Sequence, residues 1–262
     1  MTNSPIPLVD LKAQQREIAH LVEPGFADVL ENCSFIGGPA VGDFEQRFAE
    51  YCGTSHCVGA ANGTDAIEMV LRALEIGRGD DVIIPANTFI ATAEAVDRAG
   101  ANVVLVDCAV DTLLIDPAAV ADRITDATRA VIGVDLYGQI APFESLADAI
   151  GSKEIALVED AAQSQGATRR GAGIGAGVSA AATSFYPGKN LGAYGDGGAI
   201  VTNDAALESR ARAIGGHGGT RRYEHDVIGF NSRLDTLQAV VLSAKLQRLD
   251  AWNEQRRVAA AL

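Results

Sequence analysis

Short apolar runs alternate along this chain with stretches in which apolar residues recur every three or four positions. Val82-Ile83-Ile84, Val103 to Val106, Ala130 to Val134 and Ile155 to Val158 read as strands of a sheet buried on both faces, because they are apolar throughout and not alternating. Ala199-Ile200-Val201-Thr202 reads as a further strand. Between them, Ile67, Val70, Leu71 and Leu74 fall at i, i+3, i+4 and i+7, which predicts a helix over 64–76 with one buried face. A helix is expected from about Asp204, another carrying Leu242, Leu246 and Leu249, and a helical region over 8–51. The alternation predicts an α/β fold with a mostly parallel central sheet flanked by helices. Ligands of such sheets gather at the carboxyl ends of the strands.

Composition narrows the function classes. With 262 residues, 48% hydrophobic and 21% charged, the chain has enough apolar material for one large globular domain. A formal charge of −13 argues against nucleic acid as a partner, since phosphate backbones call for clustered Lys and Arg. The sequence holds no apolar run of about 18 residues, and Met1 to Pro5 opens no signal segment, so a cytoplasmic protein without a membrane partner is expected. Cys33, Cys52, Cys57 and Cys108 form no CxxC pair and no zinc spacing, so the cysteines are expected to be reduced and structural, with no metal site.

The candidate chemistry lies in polar residues beside the apolar runs. Ser184-Phe185-Tyr186-Pro187-Gly188-Lys189-Asn190-Leu191-Gly192 places a lysine in a glycine-bounded turn after an apolar strand. An exposed lysine, with a pKa of about 10.4, is a weak nucleophile at neutral pH, whereas a desolvated one is activated toward an aldehyde. Alone, Lys189 reads as a solvated surface charge. A Walker loop is excluded, since Asn190 follows the lysine and Thr183 holds the earlier glycine position. Asp160 follows a buried strand, either capping the next segment or requiring a cation such as a protonated pyridine nitrogen. Lys189 and Asp160 together suggest pyridoxal phosphate chemistry.

Asn62-Gly63-Thr64-Asp65 precedes the predicted helix, where free N–H groups of a first turn suit a phosphate; Asn62 or Thr64 as a plain helix cap is the alternative. Gly171, Gly173, Gly175 and Gly177 follow a polar segment and not a strand, so they read as a flexible loop and not a dinucleotide fingerprint. His217 and His225 lie in a segment rich in glycine and arginine, Gly215 to His225, which reads as a mobile, solvent-exposed loop able to meet an anionic substrate.

Taken together, Asn62-Gly63-Thr64-Asp65-Ala66, Pro85-Ala86-Asn87-Thr88-Phe89, Val158-Glu159-Asp160-Ala161-Ala162-Gln163, Ser184 to Gly198 and Asn231-Ser232-Arg233-Leu234-Asp235 resemble the DegT/DnrJ/EryC1/StrS family of sugar aminotransferases. The motifs run through nearly the whole chain in the family's order. The resemblance implies the large domain of the type I aspartate aminotransferase fold over 1–240, with 241–262 opening the helix toward a smaller C-terminal domain that is largely absent. A truncated product, a fragment or the large domain of a fuller enzyme is therefore expected.

The resemblance also implies roles. Lys189 is the Schiff-base lysine, Asp160 pairs with the pyridine nitrogen, and Gly63, Thr64 and Ser184 hold the phosphate. Phe89 stacks on the ring, Gln163 lies near the ring hydroxyl, and Asn231 reaches the phosphate of a neighbouring subunit, which implies a homodimer with shared sites. The activity implied is transfer of an amino group from an amino acid, glutamate, to a nucleotide-linked keto-deoxysugar, a dTDP-3-keto-6-deoxyhexose by the wording of 223–239. A 4-keto sugar and a 3-keto-acetamido-uronate are the alternatives. A silent binding or regulatory protein is another reading, and a sugar dehydratase is disfavoured, since those variants carry histidine where this chain has Lys189. Asp135 stands where many members have histidine before Leu-Tyr-Gly-Gln.

Overall fold

The computed structural model describes residues 9–219, 221 and 223–262; Met1 to Pro5 and Thr220 and Arg222 of the glycine- and arginine-rich segment lie outside the described residues. Two helices, α1 (Leu11–Asn32) and α2 (Pro39–Cys52), lead into β1 (His56–Ala60) and α3 (Gly63–Ala73). There follow β2 (Asp81–Pro85), α4 (Ile90–Ala99), β3 (Asn102–Val106), α5 (Pro117–Arg123) and β4 (Thr128–Val134). After a 3₁₀ turn, Leu136–Gly138, come α6 (Phe143–Ile150), β5 (Ala156–Asp160), β6 (Ala180–Ser184), β7 (Gly198–Thr202) and α7 (Ala205–Gly215). Helices α8 (Thr236–Leu246) and α9 (Leu249–Ala260) complete the order.

The strands form one seven-stranded sheet in the order β1-β7-β6-β5-β4-β2-β3. Pairs from β3 through β6 are parallel, and β7 runs antiparallel to both β6 and β1. In every strand but β3 alternate residues enter opposite cores, as the pleat requires; β3, expected to be buried on both faces, lies at the sheet edge with Val103 and Leu105 exposed. Ile83, Val131, Leu157 and Ala181 pack toward α2, α5, α6 and α8, while Val82, Ile84, Ile132, Val158 and Ala182 pack toward α3, α4 and α7. Burial on both faces explains why these strands read as continuous apolar runs. A satellite cluster of Ile18, Val22, Val241, Ala244 and Trp252 joins α1 to α8 and α9.

The structure corrects several expectations. The helix expected over 64–76 starts at Gly63 and ends at Ala73, because Glu75 turns left-handed (φ 60°) and sends Ile76 back into the core. The helix carrying Leu242, Leu246 and Leu249 is two helices: Arg248 N donates to Lys245 O in a tight turn, so Leu249 enters the strand core while Trp252 turns to α1. The loop of Gly171 to Gly177 is tethered, with Ile174 buried and the Gly175 amide donating to Glu159 Oε2 at 2.6 Å. Among the described residues no helix is long and apolar enough to cross a membrane.

The core reaches directly under the Lys189 turn. Phe185, fully buried, meets Phe44 and Phe48 edge-on at centroid distances of 5.5 and 5.4 Å. Replacing Phe185 with alanine should cost about 3–5 kcal/mol. Urea unfolding followed by tryptophan fluorescence checks it, and a loss under about 1 kcal/mol would mean that this aromatic cluster does not support the turn.

Candidate active site

Parallel strands deliver their last residues to one edge of the sheet, and here β4, β5 and β6 end in Val134, Asp160 and Ser184. The strand expected to stop at Val158 continues to Asp160, because Glu159 and Asp160 pair with Gly133 and Val134 on one side and with Ala181 and Ala182 on the other. Asp160 is thus held in the sheet itself. Gly63, Thr64, Phe89, Asp160, Gln163, Ser184 and Lys189 line a single cavity of about 400 Å³. Asn231 does not; it is exposed and lines a separate cavity of about 410 Å³, which shares Asp196 with the first.

One wall is the N-terminus of α3. Asn62 caps it, its Oδ1 accepting from Asp65 N at 2.8 Å. The cap leaves the N–H groups of Gly63 and Thr64 facing outward beside the positive end of the helix. A Cβ at position 63 would lie 2.7 Å from Ser184 Cβ, so the close approach of α3 to β6 requires glycine. Capping and anion binding are therefore compatible readings of Asn62-Gly63-Thr64.

Asp160 is buried, with Oδ2 accepting from Thr92 Oγ1 at 2.8 Å and Oδ1 from Ala162 N at 3.2 Å. Burial raises its pKa, against these hydrogen bonds and the charge of Lys189, which lower it. Lys189 moves the other way: burial lowers its pKa, and Asp160 opposes that shift. The site therefore places a partly desolvated amine near a buried carboxylate in one cavity. Phe89, 71% exposed, stands at the mouth, and Gln163 Oε1 accepts from Tyr137 N at 2.9 Å. Tyr137 takes the left-handed conformation (φ 59°), a strained choice for an aromatic residue that turns its amide onto Gln163.

A second cavity, of about 880 Å³, meets the first at Lys189 and Gln163 and runs beneath α9 past Arg256 and Arg257. Among the described residues no group of three His, Cys, Asp or Glu side chains is placed to hold a metal ion. His217 and His225 lie away from both cavities, with His225 Nδ1 3.0 Å from His217 O.

The residues that hold the Lys189 turn escaped the sequence reading. From α8, Lys245 Nζ donates to Gly192 O at 2.6 Å and lies 5.1 Å from the centre of the Tyr194 ring, while Gln238 Oε1 accepts from Tyr194 N at 2.8 Å. From α9, Asn253 Oδ1 accepts from Asn190 Nδ2 at 2.6 Å, and its Nδ2 donates to Gln165 O. Gln165 Nε2 in turn donates to Thr183 Oγ1 and Ser184 O. Lys245 is 3% exposed, and burial pushes its pKa down to about 8. A lone lysine in the apolar stretch Val240 to Leu246 was a usable signal; Thr92 and Asn253 had none, because their partners lie 68 and 88 residues away.

Residues 17–262 match the family described as the DegT/DnrJ/EryC1/StrS aminotransferase family. The chain is 45% identical over 256 residues to the dTDP-3-amino-3,4,6-trideoxy-alpha-D-glucose transaminase of Streptomyces venezuelae, covering 98% of this chain and 68% of that protein. It is 46% identical over 257 residues to the UDP-2-acetamido-2-deoxy-3-oxo-D-glucuronate aminotransferase of Pseudomonas aeruginosa, covering 98% and 71%. Its fold matches the crystal structure of S. venezuelae DesV in complex with a ketimine intermediate at a TM-score of 0.95, with 45% identity over 98% of this chain and 69% of that one.

The Lys245 bond to Gly192 has a measurable consequence. In Lys245→Met, amides 188–194 should exchange with deuterium roughly tenfold faster, since one buried hydrogen bond is lost, while β4 and β5 keep their protection. Unchanged exchange in the turn would show that α8 does not restrain it.

Proposed function

This chain belongs to the DegT/DnrJ/EryC1/StrS aminotransferase family, and on that footing we propose that it moves the amino group of glutamate to the C3 keto carbon of a dTDP-linked 6-deoxyhexose. It is a sugar aminotransferase, and its cofactor is pyridoxal phosphate. In the reading proposed here, Lys189 is the covalent anchor of that cofactor and the proton carrier of the reaction. The observation that carries it is the meeting, in one cavity, of a desolvated Lys189, a buried Asp160 and the α3 N-terminus.

The residues present fit the cofactor. The α3 N-terminus at Gly63 and Thr64, with the Ser184 hydroxyl, offers donors to a phosphate in a space that a Cβ at position 63 would invade. Asp160, buried and already bonded by Thr92 and Ala162, suits a ring N–H that supplies the positive charge its burial demands. Gln163 offers its amide donors to the ring oxygen, its carbonyl being taken by Tyr137, and Phe89 offers a ring face at the mouth. When bound, pyridoxal phosphate supplies an aldehyde for amine exchange and a ring that takes up the electron pair of a breaking C–H bond.

The chain's own groups then divide the work. Asp160 keeps its proton partner on the ring nitrogen. With the cofactor held, Lys189 Nζ would take a proton from the substrate carbon as base and deliver it as acid to the carbon that carried the cofactor's aldehyde; its lowered pKa brings it closer to working pH. The larger cavity, which reaches Lys189 and carries Arg169, Arg256 and Arg257, suits an anionic nucleotide-linked sugar. Amination at C3 is supported by the two relatives, one named for a 3-amino and the other for a 3-oxo sugar. Asn231 is the residue proposed to reach a partner's phosphate, making the working form a homodimer, in the cytoplasm.

The protein mixed with pyridoxal phosphate should develop a visible band that borohydride locks onto the Lys189 peptide, read by mass spectrometry. Glutamate should then yield 2-oxoglutarate, and Lys189→Ala should slow that half-reaction by about 10²–10⁴-fold. Cofactor retained with no 2-oxoglutarate released would mark a silent binder and end the proposal.

A further inference from the structure

Two more acids meet behind Asp160, at the carboxyl ends of β4 and β5. Asp135 is 0% exposed and Glu159 1%. Asp135 uses both oxygens, Oδ1 accepting from Ala141 N at 2.8 Å and Oδ2 from Ser164 Oγ at 2.6 Å. Glu159 Oε2 accepts from Gly175 N at 2.6 Å, whereas its buried Oε1 finds no N–H or O–H donor among the described residues. Their strands are neighbours in the sheet, and the two carboxyls come close enough for each to shift the other's proton affinity, Glu159 lowering that of Asp135 and Asp135 raising that of Glu159. Two carboxyl oxygens bond only when one carries a proton, and the vacant Oε1 is the atom free to carry it. Titratable groups facing the pair are Cys52 from α2 and Asp160 from β5, with Lys189 on the far side of Asp160.

We propose that Glu159 and Asp135 share one proton, held on Glu159 Oε1 with the negative charge on Asp135, and that this pair is a positioning device for Asp160 and Gln163. The positioning role rests on the transaminase reading above. Through Asp135 the turn at 135–141 is stapled to the turn at 160–166: Asp135 N donates to Asp160 O at 3.0 Å, Tyr137 N to Gln163 Oε1, and Ser164 Oγ to Asp135. Losing the proton would leave Asp135, Glu159 and Asp160 all charged and buried, and the like charges would part the two turns. Burial, with a smaller push from the Asp160 charge, raises Asp135 to about 6 against the lowering effect of Glu159, Ser164 and Ala141, while burial and the Asp135 charge drive Glu159 well above the usual carboxylate range. Each acid binds its proton more tightly folded than unfolded. The stability this contributes is therefore complete below the unfolded carboxylate range, near pH 4, and is lost as pH rises through 6 and beyond.

Glu159→Gln keeps a donor toward Asp135 and an acceptor for Gly175 but has no proton to lose. Between pH 5.5 and 8.5 the melting temperature of the cofactor-free wild type should fall by on the order of 5 °C more than that of Glu159→Gln. Parallel curves would overturn the shared proton. Should the variant not fold, infrared difference spectra of the wild type between pH 6 and 9 decide the matter: a buried protonated carboxyl gives a carbonyl band, and its absence overturns the proposal. For the positioning role, the dissociation constant of pyridoxal phosphate should rise about tenfold more in the wild type than in Glu159→Gln over pH 7–9. Equal rises would refute it. The melting and infrared measurements use no cofactor, so a failed transaminase assay and a failed shared proton are told apart.

Discussion

A carboxylate buried at the end of a parallel strand is the constraint on which the rest of this site depends. Asp160 is held on both sides by sheet pairing and is buried except where it lines the cavity, so its charge must be met by hydrogen bonds and a cation. Thr92 and Ala162 provide the bonds, and Lys189 provides charge from across the cavity. The same burial that raises the Asp160 pKa lowers that of Lys189, so the two shifts are one desolvation seen from opposite signs. Each group keeps the other's charge tolerable, which leaves a reactive amine beside an acid in an otherwise apolar fold.

Lys189 stays near Asp160 because the turn that carries it is held from three directions. Phe185 anchors its start in the aromatic cluster of α2, Asn253 of α9 holds Asn190, and Lys245 of α8 holds the Gly192 carbonyl. Gln165 closes the set by joining the turn after β5 to the end of β6. Buried polar contacts of this kind are costly when broken, so they specify one arrangement of the turn more than they add net stability. Helices α8 and α9 thus contribute to the site without lining the smaller cavity.

Much of the architecture was legible in the residue pattern. Apolar runs located β2, β4, β5 and β7, since strands buried on both faces cannot carry polar residues at alternate positions; β3 is apolar too, although at the sheet edge its Val103 and Leu105 are exposed. The glycine-bounded Lys189, Asp160 and Asn62-Gly63-Thr64 announced themselves as polar groups at the ends of such runs. Strand β1 and the alanine-rich β6 were less visible: β6 is small-sided because α3 packs close above it, a reason that exists only across the fold. The break between α8 and α9 was hidden too, because Leu246 and Leu249 keep helical spacing across it.

By itself the sequence determined the layered α/β class, the positions of most strands and the chemical types available at their ends, because hydrophobic period and residue chemistry are local properties. Only the tertiary structure decided which of those groups meet. It brought Thr92 to Asp160, gave Lys245 and Asn253 to the Lys189 turn, kept Asn231 out of the cavity that the other candidates share, and buried Asp135 against Glu159. Those pairings join residues far apart in the chain, and their energies come from desolvation that no single segment experiences until the sheet has formed.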